Sequence, residues 1–345
     1  MKRLLRHASQ VLPGLVALCV AAFVLRAADL GRVLSLVRSL GVWLPLLLVP
    51  NLVVTLIEAV AWWRSFGLLV GRPPFTSLVG VRLSIEAVML GLPSGAVISE
   101  SLQPWLLKQR CGVPFEAAVV AGVGRKFFVV VSHGLVLALA TLLTWPLLAS
   151  VSRDTIGRAG LPWLLLAVSA FMIATFGLGL ALSGRARLAQ RTRALLNRVG
   201  GRWLGDWLER HATRFQRADE HLVTFFERER GALVVPMFLY ATGWMVRGAE
   251  TYLFLHLLGA DVPFSTALVV ETAVIVIRSV AVPVPAGLGV QDVSYVLCLK
   301  ALGVPDATNT GTAFVLLKRG KDLFWILVGV ALLAIGRHRA DRAAS

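Results

Sequence analysis

Val282-Pro-Val-Pro-Ala-Gly-Leu-Gly-Val-Gln-Asp292 is the stretch whose reading decides this fold. It holds two prolines and two glycines within seven residues, and no helix continues through that. Apolar sequence flanks it, with Glu271 and Arg278 ahead and Lys300 and Gly303-Val-Pro305 behind. The interruption therefore falls at membrane depth, where non-helical backbone is tolerated only if protein buries it or it lines a wet cavity. That makes it the first candidate for a site.

The same features recur earlier. Pro93, Gly95, Glu100 and Lys108 each stand 192 residues before Pro285, Gly287, Asp292 and Lys300. Gly112-Val-Pro114 stands 191 before Gly303-Val-Pro305, Arg125 stands 194 before Arg319, and Pro74-Phe75 stands 189 before Pro263-Phe264. An ordered set at one slowly drifting offset points to an internal duplication, a common way to build a transporter. We read a single transmembrane domain, 1–345, with repeat one at 42–150 and repeat two at 232–336.

Composition agrees. The chain has 345 residues, 57% of them hydrophobic and only 16% charged, and its mean hydropathy is +0.76. Soluble domains are nearer half apolar and a quarter charged. The expected class is all-α: a polytopic bundle of about six full spans plus two re-entrant broken-helix hairpins, arranged as an inverted repeat. The net charge of +16 does not read as nucleic-acid binding, because the basic residues cluster in loops between apolar runs. Three cysteines without CxxC spacing give neither a disulfide framework nor a zinc motif. No cofactor is expected.

Loop charge sets the expected topology. Expected spans include 9–25, Val42–Trp63, Ala117–Ser150, Leu161–Leu182, Ala232–Leu258 and Thr312–Gly336, with Val151–Gly160 a polar turn. If both broken segments crossed the membrane fully, the segment 184–231, with eleven arginines against six acidic residues, would lie outside. That violates the positive-inside bias. Re-entrant broken segments put this segment and both termini in the cytoplasm and turn the two repeats opposite ways up. The segment itself has leucines and tryptophans at helical spacing among its arginines, as a helix lying on an anionic leaflet would. Trp62, Trp63, Trp145, Trp163 and Trp325 read as interfacial anchors.

Ionisable side chains within apolar runs cost a few kcal/mol each on insertion scales, so they face cavities or pair. Arg82 with Glu86, Arg247 with Glu250, Glu271 with Arg278, and Arg319 with Asp322 have helical spacing. One reading is that these pairs only hold helices together. The functional reading is stronger for Arg278 and Arg319, which lie near the second break; an arginine fork suits an anionic head group. The candidate substrate-binding set is Arg82, Glu86, Arg125, Glu271, Arg278, Gln291 and Arg319, with Gln291 a donor to a head-group oxygen. The break residues are Pro93, Gly95, Glu100, Pro285, Gly287, Gly289 and Asp292. Glu100 and Asp292 are read as caps of the half-helices that follow, or else as ion-linked carboxylates. There is no P-loop, no Gly-x-Ser-x-Gly and no Asp-Asp-x-x-Asp, so an enzyme is not expected.

Pro285-Ala-Gly-Leu-Gly-Val-Gln-Asp292, Gly303-Val-Pro305, and Leu317-Lys-Arg319 with Asp322 resemble the flippase-like transmembrane domain of lysylphosphatidylglycerol synthases. Among stand-alone relatives, the chain is most similar to membrane proteins found with hopanoid biosynthesis. Gly243-Trp244 with Glu250, and Glu271 with Arg278, resemble that branch too. Ala286 replaces a common glycine of the family motif and Asp292 its usual glutamate. The first copy, Pro93 to Glu100, lacks the family's arginine. The resemblance implies translocation of an aminoacyl-phospholipid or hopanoid-type lipid across the inner membrane. It also implies transport without synthesis, since aminoacyl transfer resides in a separate soluble domain of the family. The expected partners are membrane lipids and lipid-biosynthesis enzymes. The alternatives are a non-catalytic membrane subunit that binds lipid or a biosynthetic partner, and an intramembrane lipid-modifying enzyme.

Overall fold

A computed structural model describes residues 29–67, 69–92, 94–183, 230–280 and 287–344. The expected first helix, most of the 184–231 segment, Pro93 and Pro285 lie outside the described residues. Within those residues every regular element is a helix. In order they are α1 (Leu30–Ser39), a 3-10 segment (Gly41–Leu48), α2 (Val49–Phe66), α3 (Phe75–Gly91), α4 (Gly95–Cys111), α5 (Phe115–Leu143), α6 (Trp145–Ile156), α7 (Leu161–Ser183), a 3-10 turn (Arg230–Leu233), α8 (Val234–Leu257), α9 (Phe264–Val280), α10 (Val290–Ala301) and α11 (Ala307–Ala344).

Among the described residues, Gly41–Phe66 and Phe115–Leu143 are each long and apolar enough to cross a membrane. The pair α6 and α7, bent by 117° at a short break, is a further candidate if taken as one span. Of the six expected spans, 9–25 lies outside the described residues, and Leu161–Leu182 enters only through that bent pair. Helices α3 and α9, which belong to the expected re-entrant hairpins and not to the six full spans, have 17 residues each, short of the roughly 20 a crossing takes. Helices α8 and α11 have charged side chains inside their apolar stretches, Arg247 and Glu250 in one and Lys318-Arg319 with Lys321-Asp322 in the other.

The helices α2–α3–α4–α5 and α8–α9–α10–α11 follow the same order, long, break, short, long. Their packing is reciprocal: α2 lies along α8, α3 along α11, and α9 along α5. Each set also has its own apolar core. Trp62, Phe66, Leu78 and Leu107 fill the first, and Phe254, Tyr295, Phe314 and Leu299 the second. The α3–α11 contact is close because Gly329 has no side chain; a Cβ there would strike the Leu83 carbonyl oxygen.

Gly-Val-Pro does the same job twice. Gly112 ends α4 and Gly303 follows α10, both left-handed (φ 67° and 70°), a conformation that glycine adopts without strain. The proline two residues on cannot extend the old helix and precedes the new one, α5 or α11.

Three sequence expectations are corrected here. The expected unbroken helix Ala117–Ser150 stops at Thr144, and α6 restarts with Pro146 in its first turn, where a missing N–H costs nothing. The expected polar turn Val151–Gly160 is helical to Ile156, and the turn is only its last four residues. Trp62 is fully buried, its Nε1 donating to the Ala121 carbonyl at 3.2 Å, and Trp325 is also buried. Neither is an interfacial anchor.

Candidate functional site

Between the two breaks lies a cavity of about 280 Å³, near the lower end of the roughly 300–1,000 Å³ typical of ligand pockets. Helices α2, α3, α4, α5, α8, α9, α10 and α11 contribute to its wall. Its polar groups are arranged in networks.

On the first side, Glu58 of α2 joins three helices. Its Oε2 accepts from Arg82 Nη2 of α3 at 2.6 Å, and its Oε1 from Arg247 Nη2 of α8 at 2.9 Å. Arg82 Nη1 also donates to Glu86 at 3.1 Å. On the second side, Glu250 of α8 takes Lys321 at 2.7 Å and Lys318 at 3.2 Å, both from α11. Lys318 also reaches Glu271 of α9 at 2.7 Å, and that carboxylate accepts from Thr251 and from Tyr295 as well. All of these carboxylates are under 10% exposed. Buried charge survives only when paired and hydrogen-bonded, and here it is.

The two breaks contribute matching pairs. Glu100 receives Arg125 at 3.1 Å and Lys126 at 2.8 Å. Asp292 receives Arg319 at 2.6 Å, while its other oxygen accepts the Gly289 N–H at 2.9 Å. Asp292 is thus a half-helix cap as well as an ion-pair partner. Glu100 lies one and a half turns inside α4, so the cap expected of it is not formed.

Charges in the cavity lining and in the ion-pair networks connected to it nearly cancel. The cations are Arg82, Arg125, Lys126, Arg247, Arg278, Lys318, Arg319 and Lys321; the carboxylates are Glu58, Glu86, Glu100, Glu250, Glu271, Asp292 and Asp322. Eight against seven leaves one positive charge. Arg278, partly buried, forms neither an ion pair nor a hydrogen bond with the described residues. Its expected partner on the same face, Glu271, binds Lys318 instead. Arg247 and Glu250, expected to pair along α8, turn to different neighbours. Arg82–Glu86 and Arg319–Asp322 form as expected, the latter at 3.7 Å.

Break glycines set these positions. A Cβ on Gly95 would strike the carbonyl oxygens of Val88 and Met89, so only glycine lets α4 begin against the end of α3. Gly287, at φ 64°, leaves room for the Arg278 stem, whose Cγ lies 2.7 Å from where a Cβ would be. Gln291 donates Nε2 to Tyr295 at 3.3 Å. The Tyr295 hydroxyl spends its proton on Glu271, so the free end of Gln291 is Oε1, buried and unpartnered. Oε1 adds an acceptor to this residue, beside the Nε2 donor, one of whose hydrogens Tyr295 takes. Asn51 Nδ2 and Arg125 Nε are likewise buried without partners, and both residues line the cavity.

Sequence reasoning left Glu58, Glu250, Lys318, Lys321 and Asn51 out of the binding set. Glu58 and Glu250 stand 192 residues apart, the repeat offset itself, and that signal would have found them. Among the described residues, no group of three or more His, Cys, Asp and Glu side chains could hold a metal ion.

Compared with known proteins, residues 10–331 match the family model described as the lysylphosphatidylglycerol synthase TM region. No curated protein and no solved structure matches the chain.

Proposed function

Because the chain belongs to the lysylphosphatidylglycerol synthase transmembrane-region family, we propose that it is a flippase, moving a polar or anionic lipid across the inner membrane without modifying it. One observation carries the reading: a charged cavity closed by corresponding helix breaks, with one cation that has no ion pair among the described residues. A lipid head group needs such a cavity to pass the apolar interior.

The proposed path has room for the rest of the lipid. Lys321, on the cavity wall, also borders a separate apolar groove of about 680 Å³ between α1, the Gly41–Leu48 segment and α11. In this reading acyl chains follow the groove while the head group crosses the cavity. The repeats are inverted, both termini are cytoplasmic, and the two halves rock about the cavity to open it to each leaflet in turn. Membrane lipids are the partners, and the buried ion pairs are the bistable contacts that exchange during rocking.

The test is a proteoliposome assay with head-group-labelled phospholipids and a membrane-impermeant quencher. Vesicles containing the protein are expected to expose inner-leaflet label faster than protein-free vesicles. Equal rates for every lipid tried would refute transport.

A further inference from the structure

We infer that the cavity selects a head group bearing one net negative charge and a hydrogen-bond donor, as in a hydroxylated phosphodiester, and rejects a cationic aminoacylated one. The inference deepens the lipid-carrying reading and rests on it.

Charge balance comes first. Glu58 and Glu86 are matched by Arg82 and Arg247, and Glu250 and Glu271 by Lys318 and Lys321. No carboxylate on the wall is left to receive the ammonium of an aminoacyl group: even Asp322 lies 3.5 Å from Lys321 and 3.7 Å from Arg319. A cationic ligand would add to a lining that, with its connected ion pairs, is already one charge positive, and like charge in a poorly solvated site is repelled. An anion of single charge would neutralise it.

Geometry gives the second part. Arg278 presents a planar fork with no ion pair or hydrogen bond among the described residues, the shape that takes two phosphate oxygens at once. Gly287 leaves room for its stem. The first turn of α10 follows on the same wall, with Gln291 in it, and a helix start favours negative charge. Gln291 lines the cavity, and its Oε1 is buried with no partner among the described residues. An acceptor in that condition needs a donor, and a head-group hydroxyl supplies one. A phosphodiester without a hydroxyl satisfies Arg278 and leaves Gln291 orphaned.

Binding of short-chain lipids to the detergent-purified full chain, measured by calorimetry, tests this independently of transport. The probes are dihexanoyl forms of phosphatidylglycerol, phosphatidylmethanol, phosphatidylcholine and lysyl-phosphatidylglycerol. Phosphatidylglycerol should bind at least tenfold more tightly than the choline and lysyl lipids. Arg278→Gln should bring all four within about threefold, with Arg278→Lys restoring part of the preference. Gln291→Leu should weaken phosphatidylglycerol severalfold and leave phosphatidylmethanol unchanged. Because Arg278 has no ion pair or hydrogen bond to lose among the described residues, its variants should stay close to the wild-type melting temperature, so a lost preference reports on the site. Lysyl-phosphatidylglycerol binding as tightly as phosphatidylglycerol, or a preference that survives Arg278→Gln, overturns the inference. Selective binding without movement in vesicles refutes transport and upholds the charge rule. Movement of all lipids with no charge preference does the reverse, and no binding of any lipid at millimolar concentration removes both.

Discussion

Glu86 of α3 and Arg278 of α9 stand 192 residues apart on corresponding helices. One is an acid held by Arg82; the other is a cation with no ion pair among the described residues. Around them the halves agree: Glu58 matches Glu250, and the Glu100–Arg125 pair matches Asp292–Arg319. The scaffold repeats while the charge facing the cavity does not. The divergence at this position puts the cation without an ion pair among the described residues in the second half. The halves also differ in how the matching glutamates are held. Glu58 is gripped by arginine forks from two helices, Glu250 by two lysines of one helix. Planar forks fix direction, whereas ammonium groups are movable point charges.

The sharpest test of that difference is Glu58→Ala against Glu250→Ala. Each removes a carboxylate shared by two cations and leaves one of them short of a partner, Arg247 in the first and Lys321, with only Asp322 at 3.5 Å, in the second, a loss of about 3–5 kcal/mol. Glu58→Ala is expected to be worse, because it unties three helices where Glu250→Ala unties two. Thermal unfolding in detergent measures both, and equal losses would erase the contrast. Next come the break glycines. Gly95→Ala meets two backbone carbonyls that cannot move aside, at about 1–3 kcal/mol. Gly287→Ala meets a flexible arginine stem plus left-handed strain, about 1–2 kcal/mol, and should impair lipid binding more than stability. Double-mutant cycles on Glu100–Arg125 and Asp292–Arg319 should give couplings of roughly 0.5–3 kcal/mol. The second should be larger, since Glu100 is the more exposed acid. Smallest is Arg32→Ala, which removes an exposed 3.9 Å pair with Asp306 and should shift stability by less than about 1 kcal/mol.

Much of this was readable from the chain alone. Proline, glycine and Gly-Val-Pro mark the helix ends because their backbone chemistry is local, and the repeat offset brought Glu100 with Arg125 and Asp292 with Arg319 into correspondence before their pairing was seen. Pairing across helices was not readable. Arg247 has Glu250 one turn away in sequence, yet it reaches Glu58, 189 residues off. Helical spacing reports only which groups share a face; which neighbouring helix lies against that face is a tertiary matter. The stop at Thr144 was missed because the residues around it are uniformly apolar, and one proline was the sole mark of a bend.

The central claim is that the space between the breaks is the lipid's route. In a cysteine-free background, Ser279→Cys places a thiol on the cavity wall, and its labelling by a membrane-impermeant maleimide can be followed from each side of sealed vesicles. The account predicts labelling from both sides, slowed by phosphatidylglycerol. Labelling from one side alone, at a rate indifferent to lipid, would contradict it.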